Sequence, residues 1–188
     1  MEGCKLIPCI LFYNQFIVNI RMQLILKDLW EVMLESLTED QKIHRQIAVK
    51  LFNRVWELMD KPERSHEEVD EMIHSAHTSR YHWGEIGTPL EFARGEWQIS
   101  RVYCVLKRAE PALFHANRTL QLCLAYQIGD FDLAFAYEAM ARSLLIANEI
   151  EDCKRNLDLA YLASKSIKEE EDQKILLEDL ENIRSQIT

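Results

Sequence analysis

From Thr38 to the C-terminus, apolar residues recur at every third or fourth position, and the runs are broken only by short polar clusters. That spacing is the period of an amphipathic helix, and it predicts seven of them. They cover 39–59, 65–84, 89–108, 111–127, 131–147, 150–167 and 170–187. The boundaries carry their own chemistry. "TEDQ" and "SHEE" read as capping boxes, with Thr38 and Ser65 as caps and Gln41 and Glu68 as third-position partners. Pro62 follows the first helix, and Gly84 and Gly87 are placed to end the second. Thr88 caps the third helix with Pro89 at its first position, "AEPA" breaks it after Arg108, and Pro111 opens the fourth. "GDFD" (Gly129 to Asp132) and "NEIED" supply the next two turns.

The helices fall into pairs: 39–59 with 65–84, 89–108 with 111–127, and 131–147 with 150–167. Small residues recur at matched points. Ala116 and Cys123 correspond to Cys153 and Ala160, and Trp97 and Cys104 to Ala134 and Ala141, each displaced by 37 positions. Fixed-offset self-similarity with small residues at helix crossings is the mark of an all-α solenoid of antiparallel helix pairs. The stretch "IGDFDLAFAYEAMARSLL" resembles the tetratricopeptide pattern, in which a turn glycine is followed by an aspartate, an aromatic and a small residue. Gly129, Asp130, Phe131 and Ala134 stand in those places, with Ala141 a heptad on. The resemblance spans residues 90–167, at an offset longer than the family's 34. It implies recognition of a protein or peptide on a concave face rather than chemistry, with the polar helix 170–187 as a solvent-facing cap.

Composition narrows the picture further. Only five glycines and four prolines among 188 residues leave little material for the turns of a sheet protein. The formal charge of −9 and pI near 5.2 argue against nucleic acid as a partner. Five cysteines, at 4, 9, 104, 123 and 153, form no C-x-x-C pair, and the last three sit at apolar helix positions. A reduced, cytoplasmic protein follows. Residues 1–37 stand apart. "KLIPCILFYNQFIVNI" is apolar, but it lacks a cleavage site, is too short to span a bilayer and is interrupted by Asn14, Gln15 and Asn19. The expectation is an N-terminal extension or a mis-assigned start, with initiation at Met22 or Met33, ahead of one helical-repeat domain over 38–188.

"HSAHTSRYHWGEIG" (His74 to Gly87) invites a metal reading. At 100° per residue, His74, His77 and Tyr81 share a stripe with Asp70, whereas His82 points elsewhere with Glu71 and Thr78. Asp70, His74 and His77 are therefore the candidate metal ligands of an alternative, metal-dependent reading. Neither H-E-x-x-H nor a second Glu-x-x-His accompanies them. Arg80 projects from an apolar face of Val69, Met72, Ile73, Ala76 and Trp83, so it needs a carboxylate or a wet groove.

The helix "PLEFARGEWQISRVYCVLKR" carries the better candidate surface. Phe92, Ile99, Val102, Tyr103 and Leu106 form its core face. Opposite them Arg94, Arg101 and Arg108, spaced by seven, line up beside Trp97, a pattern suited to carboxylates or phosphates. Asn117 and Arg118, then Tyr137 and Arg142, would extend the same groove, with Arg80 and Tyr81 as its near wall. Residues 80–118 carry a local charge of +2, against −4 over 168–188. Two partners for the arginines follow from that balance. One is an acidic peptide or anionic group, which makes the chain a non-catalytic binding or scaffold module without cofactor. The other is the chain's own acidic helices, within one copy or between copies of a homo-oligomer. Neither a membrane nor nucleic acid is an expected partner.

Overall fold

The computed structural model describes residues 37–187, and every regular element among them is an α-helix. The helices are α1 (Glu39–Met59), α2 (His66–Ile86), α3 (Pro89–Val105), α4 (Ala109–Ala125), α5 (Asp130–Ile146), α6 (Ile150–Ser164) and α7 (Glu170–Arg184). The expected extension over 1–37 lies outside the described residues except for Leu37. The chain divides after Ile86 into two compact units. No helix among the described residues is long and apolar enough to cross a membrane.

In the first unit α1 packs along α2. Both capping boxes form: Thr38 and Gln41 satisfy each other's backbone N–H groups, as do Ser65 and Glu68. Ala48, Val55, Leu58 and Met59 of α1 and Met72 and Ala76 of α2 form the dry seam. Within it the Ser79 hydroxyl donates to the Ala48 carbonyl at 2.8 Å, which fixes the register of the pair. The helix α2 does not stop at Gly84 but runs to Ile86, because that glycine adopts no left-handed conformation and simply continues the spiral.

In the second unit each helix packs on the next, and the first helices of successive pairs, α3, α5 and α7, also touch one another in that order. Consecutive pair packing of this kind fits a helical repeat. The small residues related by the offset of 37 are all buried: Ala116, Cys123, Ala134, Ala141, Cys153 and Ala160. A side chain larger than these would hold the backbones apart. Around one crossing, Ala93, Leu122, Cys123 and Ala136 gather Phe92, Leu120, Ile128 and Leu133 against them.

Three helices end by one device. Lys107, Gln127 and Asn148 take φ of 57°, 55° and 60° just past α3, α4 and α5. The next N–H then turns back to the carbonyl five residues earlier: Arg108 to Tyr103, Ile128 to Cys123 and Glu149 to Leu144, each at 2.9 Å. This is the closure usually given to glycine. At the exposed Gln127, glycine would relieve a left-handed strain of roughly 1–2 kcal/mol against a backbone-entropy cost of about 0.5–1 kcal/mol. Gln127→Gly is therefore expected to raise the midpoint of urea unfolding slightly. Ala125→Gly, two residues earlier and inside α4, is expected to lower it, and two destabilisations of equal size would contradict the reading.

Candidate functional site

The arginine strip is real but shorter than the spacing implies. The helix α3 ends at Val105, and the left-handed Lys107 swings Arg108 off the line to the N-cap of α4, where it is exposed. Arg94 and Arg101 remain, and both face carboxylates of this same chain. Arg94 grips Asp132 of α5 through Nε at 2.7 Å and Nη2 at 3.0 Å. Burial works against the charge on Arg94, but the bidentate bond and the charge of Asp132 outweigh it and leave the guanidinium more basic than usual.

Arg101 belongs to a four-membered cluster. Its Nη1 donates to Glu138 of α5 at 3.0 Å and its Nη2 to Asp179 of α7 at 3.2 Å. Arg142 of α5 meets the same two acids, Glu138 through Nε at 2.5 Å and Asp179 through Nη2 at 3.0 Å, and reaches Asn182 at 3.5 Å. Glu138 is wholly buried, and its Oε1 takes both guanidinium bonds. Burial alone would push the Asp179 carboxyl up. The charges of Arg101 and Arg142, with their hydrogen bonds, overcome that and hold it below the ordinary aspartate range. A depressed carboxyl stabilises the fold fully above its unfolded pKa of about 3.9 and loses that contribution as pH falls through the folded value. The unfolding midpoint of the second unit should therefore drop as pH is lowered below about 4. Asp179→Asn should be less stable at neutral pH and respond less to acid.

These bonds repeat the architecture. Arg101–Glu138 and Arg142–Asp179 each span 37 residues, and Arg94–Asp132 spans 38. Those three ion pairs each link α3 to α5 or α5 to α7, while Arg101–Asp179 runs from α3 to α7 and Arg142–Glu138 lies within α5. The acidic helix α7 thus meets the arginines of its own chain, burying Asp172, Leu176, Asp179, Leu180 and Ile183.

Other expected members lie elsewhere. Trp97 is buried, 8% exposed, with its ring edge-on to Phe135 at 5.8 Å, so the indole is core and not an open stacking surface. The core side of α4 is Ala112, Ala116, Thr119 and Cys123, with Thr119 bonded to Ala93 of α3. Asn117 and Arg118 project from the opposite, exposed side, Arg118 donating to Gln121 at 3.2 Å. They do not join Arg94 and Arg101. Beside them Phe114, Leu124 and Tyr126 are also exposed. Tyr137 of α5 is half-buried. Arg80, half-buried, and Tyr81, exposed, belong to the first unit, where Arg80 Nη1 lies against Gly84.

Asp70, His74 and His77 are all exposed on α2. Among the described residues no three His, Cys, Asp or Glu side chains gather as a metal cluster. It is His82 that finds a partner: its Nδ1 lies 3.0 Å from Nδ1 of His44 on α1. Burial, then the neighbouring His44, lowers the basicity of His82 against the opposing pull of Glu85. In the second unit His115 Nδ1 contacts Glu96 at 2.7 Å and stacks on Tyr103. Cys104, Cys123 and Cys153 are buried free thiols, and burial pushes all three up, Cys123 to about 12. None of the three is an activated nucleophile.

Sequence reasoning missed Asp132, Glu138, Asp179 and Asn182. The signal that finds the first two was present, since adding the repeat offset to Arg101 lands on Glu138, and one more than the offset carries Arg94 to Asp132. Comparison of the chain with protein-family models, curated proteins and solved structures finds no match in any of the three.

Proposed function

We propose that the chain is a non-catalytic protein-binding or scaffold module of tetratricopeptide-like helical pairs, whose α3–α5 face recognises an acidic amphipathic helix or peptide. One observation carries this reading: Arg101 and Arg142 jointly hold Asp179, a carboxylate on an acidic helix. In a helical repeat each added pair buries the open side of the one before it. Here the last position is taken by α7, whose apolar line of Leu176, Leu180 and Ile183 is flanked by Asp172 and Asp179. A partner helix with the same alternation of carboxylates and aliphatics offers the strip the same bonds, and α7 is its cis occupant. Charge-assisted contacts of this type give selectivity and salt-sensitive association.

A fluorescent peptide of sequence 170–187, titrated into the intact chain and into Asp179→Lys, tests the proposal. The lysine sets a third cation against Arg101 and Arg142 and expels α7 from the strip. The variant, with helicity retained, is expected to bind the peptide at least about tenfold more tightly than the parent, and salt should weaken that binding. A folded variant that binds no more tightly than the parent would remove the reading.

A further inference from the structure

Two imidazoles whose Nδ1 atoms approach to 3.0 Å cannot both aim lone pairs at each other, so one ring must carry its proton at Nδ1. The same separation has another use. Nitrogen ligands stand about 2.0–2.1 Å from a first-row divalent ion, so two ligands of one ion lie roughly 2.9 Å apart at a right angle and about 3.3 Å apart in a tetrahedron. The observed pair falls between those two edges. We propose that His44 and His82 are the protein ligands of a site for a divalent, imidazole-preferring transition ion (Zn²⁺, Ni²⁺ or Cu²⁺) that clasps the beginning of α1 to the end of α2.

Preorganisation supports the site. One turn along each helix, the Ser79–Ala48 hydrogen bond at 2.8 Å locks the two backbones in register, so the rings are brought together by the fold. The His44 and His82 rings are tilted at 58°, with centroids 4.8 Å apart, and Tyr81 backs His82 edge-on at 5.4 Å. Both rings are half-buried, which leaves solvent a path to the remaining coordination positions. The Glu85 carboxylate, on the next turn of α2, adds negative charge beside His82. Loading the ion needs no net proton loss from two neutral rings: the proton at the shared Nδ1 position moves to Nε2 of its own ring, and both Nδ1 lone pairs go to the metal. The site is independent of the arginine strip and of the module proposed above, because it lies wholly within the first unit.

The test titrates the intact chain with Ni²⁺ by calorimetry and with Zn²⁺ while nitrogen resonances of the histidine rings are followed. One equivalent is expected, with both His44 and His82 shifting at Nδ1 and a rise in the thermal midpoint of the first unit. His44→Phe and His82→Phe, which keep a ring in place, should each weaken binding at least about tenfold. His77→Ala on the exposed stripe should leave it unchanged. Unmoved Nδ1 resonances of His44 and His82 at saturating Zn²⁺ would overturn the proposal. Ni²⁺ affinity unchanged from the parent's in both phenylalanine variants would overturn it too, since helicity measured on the same samples shows whether each remains folded.

Discussion

Glu138→Ala is expected to destabilise the second unit by about 3–5 kcal/mol, the range for breaking a fully buried ion cluster by removing one partner. Glu138 is 0% exposed and receives both Arg101 and Arg142 on Oε1. Removing it takes one of the two carboxylates from a pair of mostly buried guanidinium groups and leaves Asp179 facing both. It also empties a space on α5, the helix that α3, α4, α6 and α7 all touch. In a unit of this size the loss corresponds to a fall in the thermal midpoint of about 15 °C or more. Glu138→Gln keeps the volume and loses only the charge, so it separates electrostatics from packing and should recover only a minor part. Chemical denaturation of the two variants beside the parent is the check. A loss below about 1 kcal/mol for alanine would mean that the cluster behaves as an exposed one.

Phe135→Ala is expected to cost about as much, 3–5 kcal/mol, by a different route. Phe135 is 2% exposed, meets Trp97 edge-on, and packs on Phe131 with ring centroids 4.3 Å apart. Its removal leaves a cavity between α3 and α5 that neighbouring alanines cannot fill, since Ala134, Ala136 and Ala139 are too short to reach into it. The residue lies one turn before Glu138, so the two substitutions disturb the same stretch of α5. Their double variant should therefore depart from additivity, whereas residues far apart in the unit should add. Urea unfolding of the two single variants and the double gives the coupling directly. Simple additivity would show that the aromatic and ionic parts of the α3–α5 contact are separate.

The helices were legible because apolar spacing and capping residues are local signals. Thr38 with Gln41 and Ser65 with Glu68 announce helix starts wherever they stand, and the structure begins α1 and α2 there. Ends were less legible. The chain is poor in glycine and closes three helices with Lys107, Gln127 and Asn148 in the left-handed region, so the sequence shows a break nearby without fixing the last helical residue. That is why Arg108 reads as a third member of a strip it does not join. The strip's partners illustrate a second limit. A row of arginines at a spacing of seven states a need for carboxylates but is silent on their source. Only the packing of α5 and α7 beside α3 brings Asp132, Glu138 and Asp179 to them. Trp97 followed the same logic: the helical spacing sets it beside the arginines, and the packing of Phe135 against it makes the indole core instead of an open stacking surface. The histidines reversed it, since the two that meet, His44 and His82, stand 38 residues apart in sequence on different helices while the conspicuous stripe of His74 and His77 stays exposed.

Under the proposed function, α7 occupies a face able to take an acidic helix in trans. Hydrogen exchange of the intact chain, with and without saturating peptide 170–187, reads this most directly. Amides of residues 170–184 are expected to lose protection when the peptide is added, while those of α3 and α5 keep or gain it. Unchanged protection of α7 at saturating peptide would show that the face does not exchange α7 for a helix in trans.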